Sequence, residues 1–417
     1  MSRRTAAPSR GSAGTTPKPL EGIRVVDFGG FVAVPLSGQW LAFLGAEVLL
    51  IESRVSLPSR GFAPFAGEPY YNASGAFNNL NRNKRSCTIN LRTEEGRGLV
   101  KSLVAVADVV QENFSPGTME KLGLDYHTLR RIKPDIIMLS LSACGSTGPW
   151  RHHSALHSGV MGLSGVTAVT GYEGGHPRML GAMLPDPISA MYSLFAILQA
   201  LYHRQRTGQG QHIELAMTEA LQTLLPDAIA QYTMLGREPE RMGNRHPWKC
   251  PHNIYRTQGQ DSWIAIAVST DEEWQALCRV LDRPELAHDP RFANMETRRA
   301  NVEALDAVIT QWTRGRESQE EATRLLQAAG VPAGPANTVK DVVTDEHLTA
   351  RGFVVEDDHP QAGRRTMVGV PWRFKGLPQP AYRHAPLLGQ DNDYVLLDIL
   401  GLSRQEVQRL TEAQVLY

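Results

Sequence analysis

Short apolar runs alternate with helix-length segments from about residue 22 onward, and this alternation constrains the fold more than any other feature of the chain. Strands separated by helices imply a parallel sheet wrapped by helices, so we expect an α/β fold. The expected strands are Ile23–Phe28, Ala46–Glu52, Cys87–Leu91, Asp108–Glu112, Asp135–Ser142 and His212–Ala216. The expected helices are Pro35–Leu44, a helix that Thr93 caps and that runs to about Ala107, Asp125–Lys133, a long helix from Asp186, and one from about Thr218.

The chain divides into a tail, two domains and a returning C-terminal segment. Residues 1–18 are rich in Ser, Thr, Ala, Pro and Arg and lack acids, which predicts a disordered tail. Residues 19–235 carry the alternating pattern and form the N-terminal part of a large domain. The pattern changes over 240–345, where a strand at Trp263–Val268 and helices at Asp271–Leu281 and within Glu303–Ala329 predict a smaller α/β domain. Residues 346–417 are expected to be a linker and C-terminal helices that return to the large domain.

Composition excludes several classes of protein. The 43 basic and 43 acidic residues of the 417-residue chain cancel and are interspersed, which argues against a nucleic-acid surface. The four cysteines lie far apart without a C-x-x-C pair, a pattern typical of reduced thiols in a cytoplasmic protein. No apolar run is long enough to span a membrane, and the tail lacks both the apolar segment of a secretory signal and an evident amphipathic helix. We therefore expect a cytoplasmic protein without nucleic-acid or membrane partners.

Asp186 stands where the long helix is expected to begin. In Leu184-Pro185-Asp186-Pro187 an acidic N-cap precedes a proline at the first helical position. A carboxylate placed there faces the positive end of the helix dipole and unpaired N–H groups, so it should stay ionised. Such an aspartate is either a cap or a nucleophile that faces a ligand, and the local sequence favours the cap. Apolar residues then recur at helical spacing at Ile188, Met191, Tyr192, Phe195, Leu198 and Tyr202.

Two polar clusters flank expected strands. The first, Asn81–Ser86 with Arg92 after the strand, is either a solvated basic loop or a clamp for phosphate groups. The second, Glu112-Asn113-Phe114 followed by Lys121, places an amide, an aromatic face and a cation at a strand end, where open α/β sheets bind ligands. Together they would suit an adenine nucleotide with several phosphates. The first βαβ unit lacks the G-x-G-x-x-G fingerprint, so Glu52 is expected to be a strand-end residue, and a nicotinamide-linked dehydrogenase is disfavoured.

Three histidines lie close together at His152, His153 and His157. No carboxylate or cysteine accompanies them at ligand spacing, so no metal site is predicted. His157 precedes a glycine-rich run and is the candidate for a general base. A serine-hydrolase function lacks its usual G-x-S-x-G motif.

A series of motifs spreads over nearly the whole chain, and their order and spacing matter more than any one of them. The motifs are Pro19–Val25, Leu44–Val48 with Glu52, Asn83–Ser86, Glu112–Phe114 with Pro116-Gly117, Gly145–Pro149, Asp186, Arg206–Gln211, Gly330–Pro335 and Ala385–Gly389. In this order they resemble the class III (CaiB/BaiF-type) CoA-transferase family. The resemblance implies a Rossmann-like large domain that contains both chain ends, a small domain, and a homodimer in which two chains interlock.

The resemblance also implies a role for Asp186. In these transferases an aspartate at this position attacks an acyl-CoA thioester to form a mixed anhydride, the CoA thiolate then forms an aspartyl-CoA thioester, and an acceptor carboxylic acid takes the CoA. The CoA thioester is thus a substrate, and no bound cofactor is expected. By the same resemblance the loop residues Gly30, Phe31 and Val32 are expected to line the substrate pocket, and we expect His157 there as the candidate base. The positions expected to contact CoA are Arg54, Arg85, Arg92, Asn113, Phe114 and Lys121.

The chain departs from two branches of this family. Formyl-CoA transferases carry glutamine where Val32 stands and a glycine-rich lid where this chain has Gly243–Trp248, so formyl or oxalyl transfer is disfavoured and a larger acyl group is expected. The α-methylacyl-CoA racemase branch has Gly-His-Asp near 155–158, whereas here His157 is shifted by one place and the acid is absent. Two alternatives to CoA transfer stay open, namely a racemase-type isomerase and a non-catalytic CoA-binding subunit of a hetero-oligomeric transferase. The sequence names neither acid, nor does it show whether CoA moves between molecules or within one.

Overall fold

The computed structural model describes residues 17–55, 57–181 and 183–417, so the predicted tail over 1–18 falls almost entirely outside the described residues. The strands are β1 Arg24–Asp27, β2 Glu47–Glu52, β3 Arg85–Thr88, β4 Val109–Glu112, β5 Ile137–Ser142, β6 His212–Ala216, β7 His252–Arg256, β8 Trp263–Ala267, β9 Ala333–Pro335, β10 Val354–His359 and β11 Gly363–Val368. The helices are α1 Ala33–Phe43, α2 Tyr70–Ala73, α3 Gly75–Leu80, α4 Glu94–Ala105, α5 Thr118–Leu122, α6 Tyr126–Ile132, α7 His157–Leu163, α8 Val166–Val169, α9 Pro185–Thr207, α10 Met217–Gln222, α11 Pro226–Leu235, α12 Asp271–Val280, α13 Met295–Ala300, α14 Val302–Arg314, α15 Gln319–Ala328, α16 Val339–Thr344, α17 Glu346–Ala350 and α18 Arg404–Glu412. A 3₁₀-helix over Pro284–His288 and a π-helix over Tyr394–Ile399 are also present.

A six-stranded parallel sheet has the order β3-β2-β1-β4-β5-β6. The chain adds β2 and β3 on one side of β1 and then returns to place β4 on the other side, with Val26 opposite Val110. This is the strand order of doubly wound dinucleotide-binding folds, in which ligands bind where the order reverses. The predicted α/β class with a parallel sheet is confirmed. The reversal places the loops after β1 and β4 side by side at the carboxyl edge of the sheet.

Helices cover both faces of this sheet. Successive strand residues point to opposite faces, so the continuous apolar strands present apolar side chains on both. On one face Val25 packs with Leu41 of α1 and Ile197 of α9. On the other face Val26 packs in the core that includes Leu410 of α18. Each fully buried aliphatic side chain of this kind stabilises the fold by about 1.5–3 kcal/mol. The C-terminal helix therefore packs onto the large sheet although it is distant from it in sequence.

The described chain forms two compact units. Unit 1 consists of the described residues up to Leu163, Met183–Thr223 and Gly352–Tyr417, whereas unit 2 consists of residues 164–181 and Leu224–Arg351. The sequence-based boundaries differ from these in assigning 164–181 and the segment from Leu224 to 235 to the large domain. These segments carry the short helices α8 and α11. Only their tertiary contacts assign them to unit 2.

Unit 2 contains the antiparallel sheet β7-β8-β9, covered by a core that includes Trp274 of α12, Leu305 of α14 and Leu326 of α15. The strand β9 is Ala-Gly-Pro, a segment of low strand propensity that pairs because β8 offers hydrogen bonds along its edge. The antiparallel hairpin β10–β11 lies in unit 1, inside the segment expected to be a linker. Sequence patterning predicted β8 but missed β7, β9, β10 and β11, because their sequences are weakly apolar.

The long helix α9 exposes its apolar stripe. Helical spacing predicted the helix, which is confirmed, but Met191, Phe195 and Tyr202 are 56%, 58% and 60% exposed. The buried face instead carries small residues such as Ser189 and Ser193, which allow close packing against α1. Neither α9 nor any other helix in the described part of the chain combines the length and apolarity that a membrane crossing requires.

Candidate active site

The loops after β1 and β4 are joined by a pair of hydrogen bonds at the carboxyl edge of the sheet. The Gly30 N–H donates to Asn113 Oδ1, and Asn113 Nδ2 donates to the Gly30 carbonyl, both at 2.8 Å. Phe31 follows with a φ of 61°, a left-handed conformation that costs a bulky residue about 1–3 kcal/mol. Two residues of the predicted site, 83 positions apart, thus hold one loop pair together in a constrained conformation.

A buried ion pair supports the loop after β1. Lys84 Nζ lies 2.8 Å from Asp27 Oδ2 and 2.8 Å from Asn81 Oδ1, and the side chains of both charged residues are fully buried. The other Asp27 oxygen accepts the Gly29 N–H at 2.7 Å. For Lys84, both the solvated-loop and the phosphate-clamp interpretations of Asn81–Ser86 are therefore wrong. The local sequence could not show this, because the carboxylate that pairs with Lys84 is 57 positions away.

Asp186 lies in the first turn of α9. The helix begins at Pro185 and its N-cap is Leu184, so the prediction that Asp186 is itself the N-cap is wrong by two positions. A proline can occupy the first helical position because its missing N–H would have no partner there, which allows the earlier start. The Asp186 side chain is 15% exposed and lies beside Ala33, the first residue of α1, with which it lines one cavity. It therefore lies at the positive ends of two helix dipoles.

His157 is the first residue of α7 and faces Asp186. Its Nδ1 lies 3.9 Å from Asp186 Oδ2, too far for a hydrogen bond, and has no hydrogen-bond partner among the described residues. Burial raises the pKa of Asp186 above its ordinary value, and His157 and the N–H groups of Ala33 and Asp186 lower it by less. Desolvation thus opposes the ionisation expected from the helix dipole. A cleft carboxylate perturbed by burial and by a specific partner is typical of functional sites.

A cavity of about 160 Å³, which we call the Asp186 cavity, opens beside this carboxylate within unit 1. Among the described residues that line it, Asp186 is the one carboxylate, whereas Arg151, His153 and His157 offer cations or N–H donors. Sequence reasoning did not assign Arg151 or His153 to the site, although both directly follow the Gly145–Pro149 motif. Val32 is the N-cap of α1 and lies between two lining residues. Further lining residues are Phe31, Ala33, Asn113, Phe114, Cys144 and Met217.

A second cavity of about 190 Å³ lies at the carboxyl ends of the first strands, and we call it the strand-end cavity. It shares Phe114 with the Asp186 cavity and is also lined by Gly30, Asn90 and Arg92. Glu52, another lining residue, ends β2, as its predicted role as a strand-end residue required. Its carboxylate pairs with the buried Arg60 at 2.7 Å.

The predicted CoA contacts are unequally placed. Asn113 lines the Asp186 cavity, Arg92 lines the strand-end cavity, and Phe114 lines both. Arg54 and Lys121 are exposed, and each is adjacent in sequence to residues that line the strand-end cavity. These five side chains therefore belong to one edge of the sheet.

Arg85 stands at the amino end of β3, at the opposite edge of the sheet. Its Nη1 lies 2.8 Å from Asp391 Oδ1, and its guanidinium lies 4.1 Å from the centre of the Tyr394 ring. Its charge is thus already matched within the fold, and this geometry gives no support to the predicted CoA contact. The motif that suggested the contact has a structural use here.

The histidine-rich segment does not gather metal ligands. Arg151 Nε donates to His152 Nε2 at 3.1 Å, and His153 packs against Trp150 with ring centres 5.8 Å apart. Within the residues that the structure describes, no three His, Cys, Asp or Glu side chains are grouped so that they could hold a metal ion.

A model of CoA-transferase family III matches residues 20–392. The chain belongs to CoA-transferase family III. The predicted family and enzyme class are confirmed, and a member of this family uses a CoA thioester as substrate. The match includes every strand of the parallel sheet and Asp186.

Similar proteins cover almost the same length as this transferase. The succinyl-CoA–D-citramalate CoA-transferase of Chloroflexus aurantiacus is 35% identical over 402 residues, which cover 96% of this chain and 98% of that protein. The succinyl-CoA–L-malate CoA-transferase alpha subunit of Chloroflexus aurantiacus is 34% identical over 400 residues, covering 95% and 92%. The crystal structure of a CaiB/BaiF family protein from Brucella suis has a TM-score of 0.84 at 34% identity and covers 92% of this chain and 100% of that chain.

Proposed function

We propose that the transferase moves CoA between an acyl-CoA and a free carboxylic acid through covalent intermediates on Asp186. The observation that carries the proposal is the placement of Asp186 as the one carboxylate among the described lining residues of its cavity, beside Ala33 at the start of α1. The carboxylate attacks the thioester carbonyl and releases CoA thiolate, leaving an aspartyl anhydride. The thiolate then attacks the Asp186 carbonyl, which forms an aspartyl-CoA thioester and releases the acyl group as a carboxylate. The acceptor carboxylate attacks this thioester and releases CoA thiolate, leaving a second anhydride. The thiolate attacks the acceptor carbonyl of that anhydride, which forms the new acyl-CoA and frees Asp186.

The geometry supports a division of CoA between the two cavities. The strand-end cavity suits the adenine nucleotide because it lies where the strand order reverses and presents Arg92. Arg54 and Lys121 are then near enough in sequence to its lining to contact phosphates. The pantetheine arm would pass Phe114, which lines both cavities, and bring the thioester to Asp186. N–H groups at the start of α1 would stabilise the oxyanion that forms during each attack.

Trapping of the covalent intermediate tests this mechanism. The protein is incubated with acyl-CoA and then treated with hydroxylamine or borohydride, and the products are mapped by peptide mass spectrometry. We expect a hydroxamate or a reduced side chain at Asp186 alone. A modification at another carboxylate, or none during active turnover, would contradict the mechanism.

We propose a succinyl-CoA donor and a dicarboxylic acceptor. The two similar transferases are named for succinyl-CoA with D-citramalate and with L-malate, both of which are dicarboxylic acids. Arg151 supports this choice because a guanidinium in the Asp186 cavity can pair with the carboxylate that does not react. A screen of acceptor acids, run once with succinyl-CoA and once with acetyl-CoA as the donor, tests which donor the transferase uses.

Replacing Arg151 with methionine should weaken recognition of the second carboxylate. Methionine keeps an extended side chain but has no charge, so we expect KM for a dicarboxylic acceptor to rise about tenfold. KM for a monocarboxylic acid of the same chain length should not change. Equal changes for the two acids in steady-state assays would show that Arg151 does not contact the distal carboxylate.

Replacing His157 with glutamine should move the pH dependence of transfer. His157 lowers the pKa of Asp186, so its removal raises that pKa further and leaves less carboxylate ionised at a given pH. The acidic limb of the kcat/KM profile should therefore shift to higher pH.

The proximity of His157 to Asp186 also suits the racemase alternative. That alternative predicts exchange of the acyl α-proton with solvent deuterium without any acceptor, and loss of this exchange in H157Q. His203→Gln, at the other end of α9, is the control and should leave both measurements unchanged.

We also propose that the transferase is a homodimer, interlocked as its family resemblance implies. The exposed apolar stripe of α9 supports an interface there, because monomeric proteins rarely leave such stripes in water. One similar protein is named as an alpha subunit, which keeps the hetero-oligomeric alternative in view. Light scattering after size-exclusion chromatography tests the dimer, and turnover by the purified chain alone would eliminate a requirement for a second subunit.

A further inference from the structure

Glu112 is a buried carboxylate beside the active site that the proposed chemistry does not use. It ends β4 and is 5% exposed. Its Oε2 accepts the Phe114 N–H at 2.7 Å, and Ser140 lies opposite it on β5. The bond to Phe114 closes the turn that carries Asn113 and Phe114. The conformation of this turn therefore depends on the charge and position of Glu112.

Ser140 lies between this strand end and an exposed histidine, because it pairs with Glu112 across β4 and β5. Its Oγ lies 3.1 Å from His212 Nε2. His212 is exposed and stacks on Tyr126 with ring centres 5.0 Å apart. The Ser140 hydroxyl thus stands next to a solvent-accessible imidazole and on the strand beside the buried carboxylate.

The turn after Glu112 is also linked to Asp186. Asn113 holds Gly30 by two hydrogen bonds. Three residues after Gly30, Ala33 begins α1 and lines the Asp186 cavity together with Asp186. A shift of the turn would therefore reach the nucleophile through one short loop.

We propose that Glu112 is a positioning residue for Asp186: its ionised carboxylate holds the Asn113–Phe114 turn, and Asn113 holds the loop that leads into α1 beside the nucleophile. The proposal rests on the proposed role of Asp186. Glu112 contacts backbone and hydroxyl groups and takes no part in bond making or breaking.

The surroundings of Glu112 make this control sensitive to pH. Burial raises the pKa of Glu112 to about 7, Ser140 and the Phe114 N–H lower it, and Glu120 on α5 raises it. Beyond Ser140, burial lowers the pKa of His212, and the charges of Glu214 and His127 also act on it. Since the ionised form of Glu112 is the better acceptor, the turn is held firmly above about pH 7 and loosens as pH falls below it.

Glu112→Gln tests the proposal, with Glu120→Gln as its matched control. Glutamine keeps the shape of the side chain but cannot ionise, so we expect kcat/KM to fall about tenfold at alkaline pH and its acidic limb near neutrality to flatten. Glu120 is exposed, and its replacement should leave alkaline activity unchanged and move the limb to lower pH, because a charge that raises the pKa of Glu112 is gone. Ser140→Ala should move the limb to higher pH. Wild-type profiles in E112Q and S140A would overturn the proposal.

Amide hydrogen exchange, read by mass spectrometry, separates positioning from chemistry. At one alkaline pH, E112Q should exchange faster than wild type in peptides covering 110–118 and 28–36, whereas E120Q should match wild type. Unchanged exchange over 28–36 in E112Q would show that the turn does not hold the loop, which refutes the proposal. This comparison needs no turnover, so the exchange result decides the role of Glu112 by itself. A wild-type protein without transferase activity would refute the proposed function separately.

Discussion

Replacement of Asp186 by asparagine is expected to lower transfer turnover by roughly 10⁴-fold or more, because the amide is not a nucleophile and no aspartyl anhydride can form. The amide has nearly the same shape as the carboxylate, so the start of α9 should be preserved. Steady-state transfer assays and mass spectrometry of the trapped protein measure the effect. We expect unchanged binding of CoA together with complete loss of the covalent adduct.

The chain provides a matched control for this substitution. Leu225-Pro226-Asp227 repeats Leu184-Pro185-Asp186 at the start of α11, with proline and aspartate at the same helical positions. Asp227 is exposed in unit 2, so Asp227→Asn should keep wild-type turnover and adduct formation. If D186N retained normal activity, or D227N lost it, Asp186 would not be the nucleophile.

Lys84→Met should cause the largest loss of stability that the structure predicts. The substitution leaves Asp27 charged and fully buried without its partner, which costs about 3–5 kcal/mol. We expect a clear fall in the denaturant midpoint of unfolding. Activity should fall as well, because Asp27 also accepts the Gly29 N–H beneath the active-site loop.

Two further variants separate the buried pair from a general effect of lost charge. Lys133 pairs with Asp135 at 3.2 Å near the surface, so Lys133→Met should cost less than about 1 kcal/mol. Adding Asp27→Asn to Lys84→Met removes the stranded charge and should recover part of the lost stability. A K84M protein as stable as K133M would show that the buried pair is not held as the structure places it.

Much of the fold could be predicted from the sequence, because the relevant signals are local. The strand over His212–Ala216 has the predicted bounds, and Thr93 caps its helix by accepting the Gly96 N–H. Backbone propensity, capping and apolar spacing act within a few residues, so they identify an element wherever it finally packs. The strand β9 shows the limit of such signals, since its pairing with β8 outweighs a sequence unsuited to strands.

The candidate site was only partly predictable. The motif series drew attention to Asp186, Asn113 and Phe114, and the glycine-rich run drew attention to His157. The structure brings all four to one cavity. Arg151 carried no comparable signal, because an arginine in a loop looks the same whether it faces solvent or a cleft. Arg85 shows the converse, since its motif pointed to CoA while its charge is matched by Asp391 at the far edge of the sheet.

The sequence by itself determined the alternation of strands and helices, the α/β class and the identity of the family, all of which depend on local patterns and on their order along the chain. The tertiary structure alone decided that Gly30 lies against Asn113, that Lys84 is buried on Asp27, and that α9 exposes its apolar stripe. These facts depend on hydrogen bonds and burial between residues that are distant in sequence. Asp186 combines the two kinds of information. The local sequence predicts its helix, whereas its place at the start of α1 and its raised pKa come from the packing around it.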